Sequence, residues 1–262
     1  MSITIGEARY LLESFSPAGY QCEWDNTGWN IVSGNDITGI YICLDVTSDI
    51  VKRAEKYGCN MILSHHPLFF NSVKSVDADD SIGEVACKII KNDMSLYCAH
   101  TSVDEARWGL NIDLAERLGL KEIGFLESLE ESHGSGFIGY TEPVELSDIL
   151  CKIKDVIKTD SVRVSCSDMQ RIINCVAGCT GAGSDLVGVA ASRGADLFIT
   201  GEIKHNVYVE NNGMVLVEAG HYDTEKRFVH LAADYLQKKA DELKYNLLII
   251  RDMETLRPYF NY

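Results

Sequence analysis

At 262 residues the chain is long enough to bury a large core, as one domain or as two closely packed lobes. Its make-up, 46% hydrophobic and 24% charged, is that of a globular protein, and no apolar run approaches the ~20 residues a membrane helix needs. With 39 acidic against 24 basic residues the net charge is −15, which opposes nucleic-acid binding that relies on Lys and Arg neutralising phosphates.

The opening MSITIGEARYLLESFSPAGY lacks the basic and apolar regions of a signal peptide, so a cytoplasmic protein without membrane attachment is expected. The nine cysteines agree with that expectation: their number is odd, their spacing is scattered, and no Cys-x-x-Cys occurs. They are read as reduced, structural thiols, which pack as small hydrophobes.

Taken in order, the segments alternate between strand-like and helix-like patterns, which predicts an α/β protein. Residues 37–45 read as a strand, 48–58 as a helix and 59–66 as a strand. A helix at 81–92, a strand at 94–101 and a helix at 111–120 complete the first half. The second half opens less regularly with 136–144, followed by a helix at 146–158 and strands at 161–166 and 171–178. It continues with a helix at 184–194, strands at 195–202 and 214–221, a long helix at 224–243 and a strand at 245–252 before an aromatic tail. The expected architecture is two intimately packed lobes related by a pseudo-two-fold, about 1–122 and 123–262, with mixed sheets flanked by helices. They count as one domain, because no Pro/Ser/Gly linker separates them.

An internal repeat supports that symmetry. Residues 40–66 align with 176–202 without a gap, with identities at Cys43/Cys179, Ser48/Ser184, Asp49/Asp185, Val51/Val187, Ala54/Ala190 and Gly58/Gly194. A slightly different offset places His100 and Asp104 opposite His221 and Glu225.

The polar residues that carry chemistry gather where the strands are predicted to end: Asp45, His65, His66, His100, Asp104, Glu202, His205, His221 and Glu225. Ligands of parallel α/β sheets gather at that edge. Both imidazoles of His65-His66 can face one site only if the strand has ended, as Pro67 suggests. The i,i+4 spacing of His221 and Glu225 puts both on one side of a helical turn. So many imidazole and carboxylate groups suggest a metal site, and two ions rather than one, since an open catalytic zinc takes fewer protein ligands. His133 and His230 are read as ordinary surface or core groups. Gly178–Asp185 is similar to a phosphate-cradling loop without the Walker ending, and a glycine-rich tight turn explains it equally well. In that segment Ser184 or Asp185 is the expected N-cap. Trp24–Trp29 is a polar-aromatic loop without an assignable role.

Five ordered segments, WDNTGW, LSHHPLFF, AHTSVDEARWGLN, FITGEIKHN and EAGHYDTE, resemble the signatures of the Nif-three-like family, whose members are commonly called GTP cyclohydrolase 1 type 2 homologues. The resemblance spans about residues 24 to 235 and is to the short form, without an inserted domain. It implies a toroidal homohexamer and a dinuclear centre with His65, His66, Asp104, His221 and Glu225 as ligands, Glu225 bridging. Two divalent ions per chain are then expected, with Zn, Fe and Mn all suited to such ligands. The implied activity is a metal-dependent hydrolase acting on a small molecule, a purine nucleotide such as GTP. Glu202, His100 or His205, predicted to lie at the same strand ends, are the expected proton carriers. A non-catalytic metal or metallocofactor carrier and a hexameric regulatory binding module are the alternatives. In this chain His205 is followed by Asn206, where the family usually has a second histidine, and the LRPYFNY tail also departs from the family pattern.

Overall fold

A computed structural model describes residues 2–211, 213–255 and 257–259, so the last three residues of the aromatic tail lie outside the described residues. The fold is mixed α/β, and the chain forms two compact units. One comprises residues up to Val103 together with Phe228–Thr255, the other Asp104–Arg227 with the tail from residue 257. The parting thus differs from a single cut near residue 122, because the last long helix and last strand return to the first unit. No helix among the described residues is long and apolar enough to cross a membrane.

In the first unit, α1 (Ile5–Phe15) precedes β1 (Gly28–Ile31), β2 (Gly39–Cys43), α2 (Ser48–Lys56), β3 (Met61–Ser64), α3 (Ser81–Lys91) and β4 (Ser95–Cys98). Every residue of β2, β3 and β4 is buried, as expected of parallel strands covered on both faces. The helices start where side chains can satisfy free N–H groups. Thr4 and Glu7 form a capping box on α1, Thr47 accepts from the Ile50 N–H on α2, and Asp80 accepts from the Gly83 N–H on α3.

A four-residue helical turn, α4 (Thr101–Asp104), follows β4. The second unit continues with α5 (Leu110–Arg117), β5 (Lys121–Gly124), the small hairpin β6 (Glu127–Ser128) and β7 (Gly134–Ser135), β8 (Phe137–Glu145), α6 (Leu146–Ile157) and β9 (Arg163–Val164). Next come β10 (Ile172–Cys179), α7 (Val187–Ser192), β11 (Leu197–Thr200), α8 (His205–Glu210), β12 (Val215–Glu218) and α9 (His221–Glu225). Its six-stranded sheet has the order β5-β8-β10-β11-β12-β9, with β10, β11 and β12 parallel. Alternate residues of these strands serve two cores. Val176, Leu197 and Val215 pack with α6 residues Ile149 and Ile153, while Ala177, Phe198 and Leu216 pack with Val187 and Ala190.

The chain then returns to the first unit through α10 (Phe228–Glu242) and β13 (Leu248–Arg251). The five-stranded sheet there has the order β1-β4-β3-β2-β13, with β1 the antiparallel edge and the other four strands parallel. Phe15 of α1 packs on Phe228 and Tyr235 of α10, with ring centroids 6.1 and 5.1 Å away.

Two sequence expectations are corrected in detail. The strand expected at 161–166 shortens to Arg163–Val164, an edge pair on β12. The helix expected at 224–243 is broken into α9 and α10, and the break falls where the chain passes from one unit to the other.

The internal repeat is present in the sheet registers. Ile40 pairs with Met61 and Cys43 with Ser64, while the aligned Val176 pairs with Leu197 and Cys179 with Thr200. After α2 and α7 the chain turns through Gly58 and Gly194, each at φ 75°. Cys59 N–H then bonds Ala54 O, and Ala195 N–H bonds Ala190 O. Each parallel trio also carries a two- to four-residue antiparallel edge strand, β1 on β4 and β9 on β12.

Candidate metal centre

The parallel strands of the first unit deliver three imidazoles to one edge. β3 ends at Ser64, so His65 and His66 leave the pleat before they can be sent to opposite faces. His100 follows β4. Ring centroids are 5.0 Å apart for His65 and His66, 5.2 Å for His65 and His100, and 5.6 Å for His66 and His100. One ring nitrogen from each lies within 4.8 Å of the others.

Each ring is oriented through Nδ1. That of His65 donates to Ala99 O at 2.9 Å, that of His66 to Asp45 Oδ1 at 2.7 Å and that of His100 to Asp25 Oδ1 at 2.7 Å. A carbonyl or an ionised carboxylate has no proton to give, so Nδ1 carries the hydrogen and Nε2 of the neutral ring carries the lone pair. This is how metal-binding histidines are commonly held.

Asp25 is the functional residue the sequence left unassigned. Its second oxygen accepts from the Thr101 N–H and the hydroxyls of Thr101 and Thr27. Burial pushes its carboxyl up, but the hydrogen bond from His100, the charge of that ring when it is protonated, and the Thr101 and Thr27 hydroxyls outweigh it and hold the group well below the usual carboxylate range. The only hint in the sequence was a polar run between two tryptophans.

In the second unit, His221 and Glu225 meet across one turn of α9, with Nε2 and Oε2 3.0 Å apart. His221 Nδ1 donates to Glu202 Oε1 at 2.8 Å, which repeats the orienting pattern. Glu225 is buried against Gly181, where an added Cβ would lie 2.1 Å from Glu225 Oε1. Sheet register equates Ala99 with Ala219, since their N–H groups bond Ser64 O and Thr200 O. His100 therefore matches Gly220, and the two His-x-x-x-acid turns are displaced by one residue.

The remaining expected residues are placed less centrally. Glu202 holds His221, as described. His205 begins α8 and is exposed. Asp104 ends α4, and its backbone carbonyl accepts from Asn111 Nδ2 at 2.9 Å. Among the described residues, none of Asp104, Glu202 and His205 joins a group of three ligand atoms within 4.8 Å.

Three N–H groups of the glycine-rich segment are taken up within the fold: Thr180 N–H donates to Asn111 Oδ1, Gly181 N–H to Thr224 Oγ1 and Gly183 N–H to Thr200 Oγ1, which leaves these three unavailable to an anion. Neither expected N-cap forms: the Ser184 hydroxyl donates to Glu202 O, and no side chain caps the turn at Ser184–Leu186 or α7. Burial first, and then the Asp104 and Glu225 carboxylates, push the Cys179 thiol far up.

Comparisons with known proteins agree with this architecture. The family model described as Duf34/NIF3 (NGG1p interacting factor 3) matches residues 3–255. A Clostridium acetobutylicum protein named GTP cyclohydrolase 1 type 2 homolog is 27% identical over 266 residues, covering 99% of each chain. A Bacillus cereus protein related to NIF3 superposes with a TM-score of 0.94 at 24% identity, over 100% of this chain and 99% of that one, a likeness of fold. Reduced HcgD from Methanocaldococcus jannaschii gives a TM-score of 0.76 at 27% identity, over 95% and 98% of the two chains.

Proposed function

From the premise that the chain belongs to the Duf34/NIF3 family, we propose that it is a metal-dependent hydrolase resembling GTP cyclohydrolase type 2, with two divalent ions per chain held by His65, His66, Asp104, His221 and Glu225. The observation that carries the reading is the convergence of three imidazoles within 4.8 Å, each turned by an acceptor on Nδ1. Histidine and carboxylate donors suit Zn, Fe or Mn. Bound divalent ions supply water acidified to a pKa of ~7 and thus a nucleophile near neutral pH.

The chain's own residues supply orientation and proton transfer. Asp25 and Asp45 fix the rings of His100 and His66, and Glu202 fixes that of His221. Among the proton carriers, His100 is backed by Asp25 and Glu202 is exposed beside His221, while His205 stands exposed at the start of α8. The proposed bond broken is in the imidazole ring of a guanine nucleotide, after attack at C8.

The test is mass-spectrometric product analysis of GTP incubated with protein loaded separately with Mn, Fe or Zn, alongside a chelated sample and Asp104→Ala. Ring opening or formate release that is lost in both controls is expected. Intact GTP in every sample, with bound metal verified, sinks the substrate assignment and leaves a metal-holding or metallocofactor-delivering protein as the reading.

A further inference from the structure

Two large aromatic side chains beside the imidazole cluster of the first unit stay exposed. Trp24 is 60% and Phe70 52% accessible. They come from separate loops, one before β1 and one after the His65-His66 pair. Their ring centroids are 5.8 Å apart with planes at 43°. Both stand nearly perpendicular to the His100 ring, at 6.0 Å and 76° for Trp24 and at 6.4 Å and 72° for Phe70.

The corner is held by polar bonds rather than by burial of the rings. Asn26 Nδ2 donates to Phe69 O at 2.6 Å, and Phe69 N–H donates to Asn30 Oδ1 at 3.4 Å, so the two loops are tied together. The neighbouring Asp25 is fixed to His100 and Thr101. Leaving two adjacent aromatic faces in water forgoes the ~25 cal/mol per Å² that burial returns, and a ligand stacked on them recovers part of it.

The occupant follows from what lines the corner. Trp24 and Phe70 pack against each other and stand edge-on to His100, so what they offer is their outward carbon faces beside an imidazole of the metal-capable cluster. A flat ring with apolar faces and a polar edge fits that platform, and stacking accepts any heteroaromatic ring because each has a π-face. An aliphatic or peptide surface leaves the neighbouring imidazole unused. Resting on the hydrolase reading for its substrate, we infer that Trp24 and Phe70 bind the planar heteroaromatic ring of that substrate and hold it beside His100. They are positioning residues for binding, with no part in bond breaking.

Calorimetric titration of the metal-loaded full chain with guanosine 5′-monophosphate, and with ribose 5-phosphate as a probe lacking the ring, tests this. The nucleotide is expected to bind and the sugar phosphate to bind weakly or not at all. Trp24→Ala and Phe70→Ala are each expected to weaken nucleotide binding about tenfold, with bound metal, melting temperature and oligomeric mass unchanged. Trp24→Phe is expected to restore most of the affinity. Where GTP is turned over, KM rises in the alanine variants and kcat holds. Absence of nucleotide binding, equal binding of both probes, or variant affinities within twofold of the parent overturns the inference. A change in oligomeric mass with nucleotide affinity unchanged also overturns it, because the rings are then a subunit contact. Nucleotide binding lost with the rings, in a protein that never opens GTP, keeps the inference and removes the cyclohydrolase reading instead.

Discussion

Asp25 and Gly181 each act on the centre through a neighbour. One oxygen of Asp25 fixes the His100 ring, and the other gathers Thr27 and Thr101, so the Asp25→Ala variant frees the ring to rotate. Because the proposal makes His100 a proton carrier and not a ligand, Asp25→Ala is expected to lower turnover of GTP about 10²–10⁴-fold with metal content per chain unchanged, while Asp25→Asn, which keeps an acceptor, loses less. Unchanged turnover in Asp25→Ala would dismiss the orienting role. Gly181 acts by having no side chain. Its φ of 63° disfavours other residues, and a Cβ there meets the Glu225 carboxylate at 2.1 Å. Gly181→Ala is expected to lower the melting temperature and to shift Glu225, with metal content per chain falling; a variant that melts and loads like the parent would refute this.

The repeated strand–helix–strand elements end their helices in the same way. Gly58 and Gly194 both take the left-handed conformation in open space, with no atom within 4 Å of a built Cβ. An alanine at either position therefore pays only the backbone cost, about 1 kcal/mol. Gly58→Ala and Gly194→Ala are expected to be destabilising by closely similar amounts in urea unfolding, and costs differing severalfold would mean that the two turns are not equivalent. This equivalence could be found in the sequence because sheet register copies alignment register one for one, as at Cys43/Ser64 and Cys179/Thr200. It fails just beyond the strands, where a single extra residue separates Ala219 from His221, because loops tolerate what a ladder does not.

For the whole molecule, buried acids that ionise late tie stability to alkaline pH. Burial pushes the Cys59 thiol up to about 11 and the Tyr97 phenol up to about 12, against ~8.5 and ~10 in an unfolded chain. Above about pH 8.5 the unfolded chain releases protons that the folded chain retains, so stability falls as pH rises through that window. The urea midpoint is expected to drop between about pH 8 and pH 10.5, and a flat profile would show that these groups are accessible in solution. The proposed homohexamer, implied by the family resemblance, is tested by light scattering on the purified chain, where a mass near six chains is expected and a monomer rejects it.

Burial pattern and strand ends follow from local order of residue types, and these the sequence determined. The short, mostly apolar runs GIYIC, MILS and SLYC, set between helical patterns, read as central strands, and His65-His66-Pro67 reads as the end of one. Family membership was also present there, in five short motifs. Other features needed atoms brought together from distant parts of the chain. Asp25 lies 75 residues before His100, so no periodicity links them. Three donors of the glycine turn are taken up by Asn111, Thr200 and Thr224, which no local reading of Gly178–Asp185 includes. The return of α10 and β13 to the first sheet is likewise a matter of tertiary pairing: β13 joins β2, Leu248 against Gly39, because that edge of a buried sheet has to be covered.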